Sequence, residues 1–133
     1  MRIGLKTSLM HVSYEDVRRV WQQADEMTEI ADAWLWDHLL PLAGDRGGDV
    51  LEGWTTLSAL AAQTSRLRLG LLVTSNRLRH PALLGKMAST VDVISGGRLV
   101  MGLGVGGTVQ PPGAAGWPGR TRRSRSSRPT GYR

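Results

Sequence analysis

Apolar residues along the first hundred positions switch repeatedly between two spacings. RIGLKTS, residues 2–8, reads as a short first strand. Ser13 followed by Asp16 has the form of a capping box, and Val17, Val20, Trp21, Ala24, Met27 and Ala31 then recur at three- and four-residue steps, the stripe of an amphipathic helix. AWLWDHLL, residues 33–40, is the second strand. A polar, glycine-rich loop from Pro41 to Glu52 leads to a second helix marked by Trp54, Leu57, Leu60 and Ala61. LRLGLLVTS, residues 67–75, is a third strand, apolar nearly throughout, as strands buried on both faces are. His80–Pro81 opens a third helix with Leu84, Met87, Ala88, Val91 and Ile94 as its stripe, and Gly96–Gly97 stops it. RLVMGLGV, residues 98–105, is the fourth strand.

The strands begin near residues 3, 33, 67 and 98, so the repeat is about thirty residues, the length of one βα unit. Apolar strands alternating with helices make this an α/β protein with a parallel sheet. An open doubly wound sheet and a (β/α)8 barrel both satisfy the pattern. A complete barrel takes about 250 residues, and the chain has 133. A barrel reading therefore assigns it about four strands and three helices. From Gly107 the character changes. Residues 107–133 contain no Leu, Ile, Met, Lys, Asp or Glu and are dominated by Gly, Pro, Ser and Arg. Such a segment buries too little apolar surface to offset its conformational entropy and is expected to be disordered. Its composition is also what GC-rich coding DNA yields when read out of frame, which makes a frame shift one account of it.

Charge separates the same two parts. Residues 1–119 hold all 11 acidic side chains and 11 of the 17 Lys and Arg, and the whole excess of +6 lies in Arg120, Arg122, Arg123, Arg125, Arg128 and Arg133. With only Trp117 and Tyr132 beside those arginines, the tail lacks the interleaved aromatics of a nucleic-acid binder. There is no cysteine, hence no disulfide or thiolate chemistry. No stretch reaches the roughly 18 apolar residues of a membrane span, and Lys6 interrupts the only N-terminal apolar patch. A cytoplasmic location is the expectation. No spacing of His, Asp and Glu suits a metal.

Two features carry chemistry. Asp37 and His38 end an otherwise apolar strand, an arrangement suited to a strand end that opens onto a pocket. GLGVGG, residues 102–107, satisfies G-x-G-x-x-G through Gly102, Gly104 and Gly107. Pro111–Pro112 and arginines follow instead of the helix and acid that a dinucleotide fold requires. The dinucleotide reading is rejected.

The stretch EGWTTLSALAAQTSRLRLGLLVTSNRLRHPALLGKMASTVDVISGGRLVMGLGVG, residues 52–106, together with LWDHLL before it, resembles the bacterial luciferase-like family, in particular its deazaflavin (coenzyme F-420)-dependent oxidoreductases. The resemblance covers roughly residues 1–106 and favours the (β/α)8 barrel over the open sheet. It implies that Asp37 and His38 sit at the barrel mouth beside the cofactor ring, with His38 as the catalytic proton donor or acceptor and Asp37 fixing the ring edge. It implies a bulge with a non-prolyl cis peptide between Leu71 and Thr74, Leu72 being the best single position, with Leu72 and Thr74 backing the ring. It implies that Gly104 and Gly106 let the backbone approach the cofactor. The match breaks at Gly107, where the family often carries Trp or an acid. His11 is expected to be a loop histidine and His80 a helix cap.

An intact relative would pass a hydride between F-420 and a small organic substrate. FMN with monooxygenase chemistry is the close alternative. Strands five to eight of the family barrel supply most of the phosphate grip, so the chain alone is expected to be inactive. A non-catalytic half barrel that covers its edges by self-association is the alternative of another class.

Overall fold

The computed structural model describes residues 3–45 and 47–105. The elements run β1 (Ile3–Lys6), α1 (Tyr14–Glu26), β2 (Ile30–Leu35), α2 (Gly53–Ala61), β3 (Arg68–Leu71), β4 (Thr74–Ser75), α3 (Pro81–Ser95), β5 (Leu99–Val100) and β6 (Leu103–Gly104). None of the described helices is long and apolar enough to cross a membrane. The tail, 107–133, lies outside the described residues.

Four strands form one parallel sheet in the order β1-β2-β3-β5. That order decides between the two architectures. A doubly wound sheet reverses direction at a switch point and places its first strand inside. Here each strand is laid beside its predecessor, as in a barrel. The sheet is part of a (β/α)8 barrel.

The helices pack on one face. Ala33 and Leu35 of β2 and Leu69 and Leu71 of β3 meet Val17, Trp21 and Ala24 of α1, Trp54, Leu57 and Leu60 of α2, and Leu84 and Val91 of α3 in one buried cluster. Each such leucine contributes about 1.5–3 kcal/mol when taken out of water. The opposite face of the sheet is polar at its lower level. Asp32 accepts from the Trp34 indole at 2.8 Å and from Arg68 at 2.9 Å.

Helix boundaries follow the local signals. Ser13 Oγ accepts from the Asp16 amide at 3.1 Å and donates to its carboxylate at 2.6 Å, closing the first turn of α1. His80 Nδ1 accepts from the Ala82 amide ahead of Pro81. Gly96 ends α3 at φ 67°, a left-handed conformation that glycine adopts without strain. His11, also at positive φ, is an exposed loop residue whose ring lies 3.1 Å from the Ala43 carbonyl oxygen.

Strand boundaries differ from the sequence reading. β2 starts three residues before Ala33 and ends at Leu35, so Ala31 belongs to a strand and not to the α1 stripe. Pairing with β1 on one side and β3 on the other outweighs the three-to-four spacing that continued past Glu26. Val20, Met27 and Ile94, assigned to buried stripes, are exposed. The third strand is two pieces, β3 and β4, and the fourth is likewise β5 and β6. The Leu72 amide makes the last bond to β2, donating to the Leu35 carbonyl at 2.9 Å. From Thr74 the backbone bonds instead to Gly102 and Gly104, at 2.8 and 3.1 Å.

Two arginines do the same job where the strands begin. Arg66, just before β3, donates to the carbonyls of Ala24 and Asp25 in the last turn of α1, of its cap Met27 and of Ile30 at the start of β2. Arg98, just before β5, donates to the carbonyls of Ala61, Thr64, Leu67 and Ser95. Replacing Arg98 by Met leaves several of these acceptors without a partner. Arg98→Met is expected to lower the unfolding free energy by about 2–3 kcal/mol, read as a shift of the urea midpoint; an unchanged midpoint would show that water satisfies those carbonyls equally well.

Candidate functional site

Consecutive side chains of an extended strand point to opposite faces, and β2 keeps that alternation past its last ladder bond. Ala33, Leu35 and Asp37 are buried, while Trp34, Trp36 and His38 are only half-buried. The two titratable neighbours just past the strand end thus differ in burial, Asp37 buried and His38 half-buried.

Asp37 turns toward the helix layer, and its carboxylate is 1% exposed. Its Oδ2 accepts from the Ser75 amide and from Arg79 Nη1, and its Oδ1 from Arg79 Nη2, each at 2.8 Å. The planar guanidinium meets the planar carboxylate as a two-pronged fork, among the strongest hydrogen-bonding arrangements in proteins. Arg79 also donates to Glu52, whose carboxylate caps α2 by accepting from the amides of Trp54 and Thr55 at 3.2 and 2.7 Å. Burial opposes the charge on Arg79, but Asp37 and Glu52 outweigh it and raise its pKa above the ordinary arginine value. Burial likewise works against the Glu52 charge, and the bonds from Thr55 and Arg79 outweigh it to hold its pKa below the usual carboxylate value.

His38 lies on the other side. Its ring meets the Trp36 indole edge-on, with centroids 5.7 Å apart and planes at 81°. Lys6 at the end of β1 places its ammonium 5.2 Å from the Trp36 ring centre. The indole nitrogen Nε1 of Trp36 is buried and has no acceptor among the described residues.

The Leu72–Val73 peptide is cis, at the position that the family resemblance implies. Leu72 and Val73 are 45% and 44% exposed, forming an apolar shelf at the strand ends. Thr74 is wholly buried, and its hydroxyl has no partner among the described residues. β4 pairs in parallel with β6, Thr74 opposite Leu103 and Ser75 opposite Gly104. A Cβ on Gly104 would run into Val73, and one on Gly102 into the Leu71 carbonyl. Their missing side chains are taken up by this packing. Gly106 lies outside the described residues.

The structure thus joins Asp37, Thr74–Ser75 and Gly104 through one hydrogen-bonded array and sets His38 with Trp36 and Lys6 apart from it. Arg79 and Glu52 were not singled out in the sequence. Arg79 is 42 residues from Asp37, and the exposed Arg77 is an equal candidate by charge. Only the fold tells them apart.

The His38 pKa lies below its ordinary 6.5, first because burial disfavours the cation; Asp37 pulls it up, and Lys6 pushes it down. As pH falls, the unfolded chain takes this proton before the folded one. Stability from this group is complete above pH 6.5 and is lost as pH falls from there to the folded-state value. Denaturant titrations between about pH 5 and 7.5 are expected to show that decline and to lose part of it in His38→Gln; the same slope in both proteins would assign it to other groups.

Near the strand ends the structure therefore gathers an exposed apolar pair, Leu72 and Val73, and a half-buried imidazole, His38, edge-on to Trp36. In comparison with known proteins, the model of the luciferase-like monooxygenase family matches residues 1–126. The F420-dependent glucose-6-phosphate dehydrogenase of Amycolatopsis mediterranei is 26% identical over 121 residues, 89% of this chain and 36% of that protein. Among solved structures, an F420-dependent secondary alcohol dehydrogenase in complex with an F420-acetone adduct superposes with a TM-score of 0.71 at 22% identity, covering 79% of this chain and 32% of that one. The FMN complex of the oxygenating constituent of 3,6-diketocamphane monooxygenase from Pseudomonas putida superposes with a TM-score of 0.66 at 23% identity, covering 80% and 30%. The chain spans about a third of the length of each of these relatives. The match of the family model over nearly its whole length, on a sheet wound as a barrel, makes this chain a member of the luciferase-like monooxygenase family.

Proposed function

We propose that this chain forms the part of a deazaflavin-dependent oxidoreductase that carries the ring-binding face, with a small organic alcohol or carbonyl compound as substrate. The observation that carries the reading is the exposed apolar pair Leu72–Val73 beside the end of β2, where the Leu72 amide bonds to the Leu35 carbonyl and Trp36 and His38 follow in the chain. In family barrels the active site lies at those strand ends.

When bound, F-420 supplies a two-electron hydride donor or acceptor. The chain's own residues do the rest. Leu72 and Val73 back the ring and exclude water from one of its faces. Trp36 packs its indole against the His38 ring and so holds the imidazole in place. His38, neutral near pH 7 because its cation is disfavoured, accepts a proton from a substrate hydroxyl, and its imidazolium returns the proton when a carbonyl is reduced. Asp37 does not touch the reacting atoms; it holds the Ser75 end of the backing segment. Gly104 gives Val73 room to lie flat against its neighbour.

FMN is the second reading, because an FMN-binding oxygenase superposes with a comparable TM-score. Fluorescence titration separates the two. Weak, saturable quenching of F-420 by the chain is expected, with an affinity at least about tenfold below that of a full-length relative, and with none in Leu72→Asp. Quenching of FMN alone would transfer the site to monooxygenase chemistry. Quenching of neither would remove the cofactor reading for this chain.

A further inference from the structure

We infer that Arg79 is a positioning residue that acts through Asp37 to hold the ring-backing segment and the His38 strand end in fixed alignment. The inference rests on the proposed cofactor site for its consequence, but its geometry stands by itself. Arg79 joins three places far apart in sequence: the segment after β2 at Asp37, the N-cap of α2 at Glu52, and, through Asp37, the β4 amide of Ser75. Its side chain is 10% exposed, so water does not readily take its place.

The carboxylate of Asp37 has to aim one oxygen at the Ser75 amide. A single bond to that amide leaves the carboxylate plane free to turn. The two-pronged contact from Arg79 fixes the plane, and with it the Oδ2–Ser75 bond. Ser75 follows directly on Leu72, Val73 and Thr74, and His38 follows directly on Asp37. Rotating the carboxylate therefore shifts the shelf relative to the imidazole. Buried ion pairs contribute little net stability compared with apolar replacements of the same volume, whereas their directional bonds set geometry. Lysine at this position would keep the charge but lose the fork.

The test compares the parent chain with Arg79→Lys, Arg79→Gln and the double variant Asp37→Asn/Arg79→Gln, in which an amide pair replaces the ion pair and the introduced asparagine oxygen can still accept from the Ser75 amide. Amide exchange followed by NMR is expected to accelerate at Ser75 by about tenfold or more in both single variants while Ala33 and Leu69 stay protected. The His38 ring resonances shift with it, and F-420 affinity falls by about tenfold. The double variant restores Ser75 protection. Unchanged Ser75 exchange in Arg79→Lys, or acceleration shared equally by Ala33 and Leu69, would overturn the inference in favour of general stabilisation. Local acceleration at Ser75 in a chain whose parent binds no F-420 would support the alignment role and sink the cofactor reading alone.

Discussion

The alternation of side chains along β2 is the constraint on which the site depends. Asp37 and His38 are adjacent in sequence, yet the alternation of buried and half-buried residues that β2 begins continues through them and gives them different surroundings. The carboxylate of Asp37 is buried and is met there by Arg79 and the Ser75 amide. The imidazole is left on the other face beside Trp36. A shift of one residue would exchange them, placing a histidine against Arg79 and a carboxylate at the open face. The register of β2 with β3, Leu35 opposite Leu71, excludes that exchange.

The two ends of the sheet use arginine for different purposes. Where the strands begin, Arg66 and Arg98 tie together carbonyls of helix ends and of the connections that follow them, work that serves stability. Where the strands end, Arg79 serves the Asp37 carboxylate and, through it, the Ser75 amide. The division matches the general asymmetry of (β/α)8 barrels, whose bottom face holds the fold together and whose top face carries the chemistry. It also accounts for the buried, hydrogen-bonded state of Asp37.

Much of this was legible in the chain. The roughly thirty-residue spacing reflects the unit that must form before a parallel partner can be reached, and the capping residues Ser13 and His80 and the stop at Gly96 act through local bonds that sequence encodes directly. The cis peptide at Leu72–Val73 was legible only through family likeness, since the residues LLVTSN contain nothing that demands it. Strand ends were misplaced because ladder bonding depends on the neighbour: Ala31 continues a helical spacing, but it lies in the stretch of β2 that pairs with β1 from Ile30 onward. Arg79 was illegible because its pairing with Asp37 spans 42 residues and has no periodic signature.

Solution footprinting tests the central claim, that the strand parts the acid from the imidazole, most directly. The chain would be treated in parallel with a water-soluble carbodiimide and with an imidazole-acylating reagent, and the sites mapped by mass spectrometry. Asp37 is expected to resist coupling while the exposed Glu15 and Asp16 react, and His38 is expected to be acylated. Coupling of Asp37 as fast as those surface carboxylates, or inertness of His38, would contradict the claim.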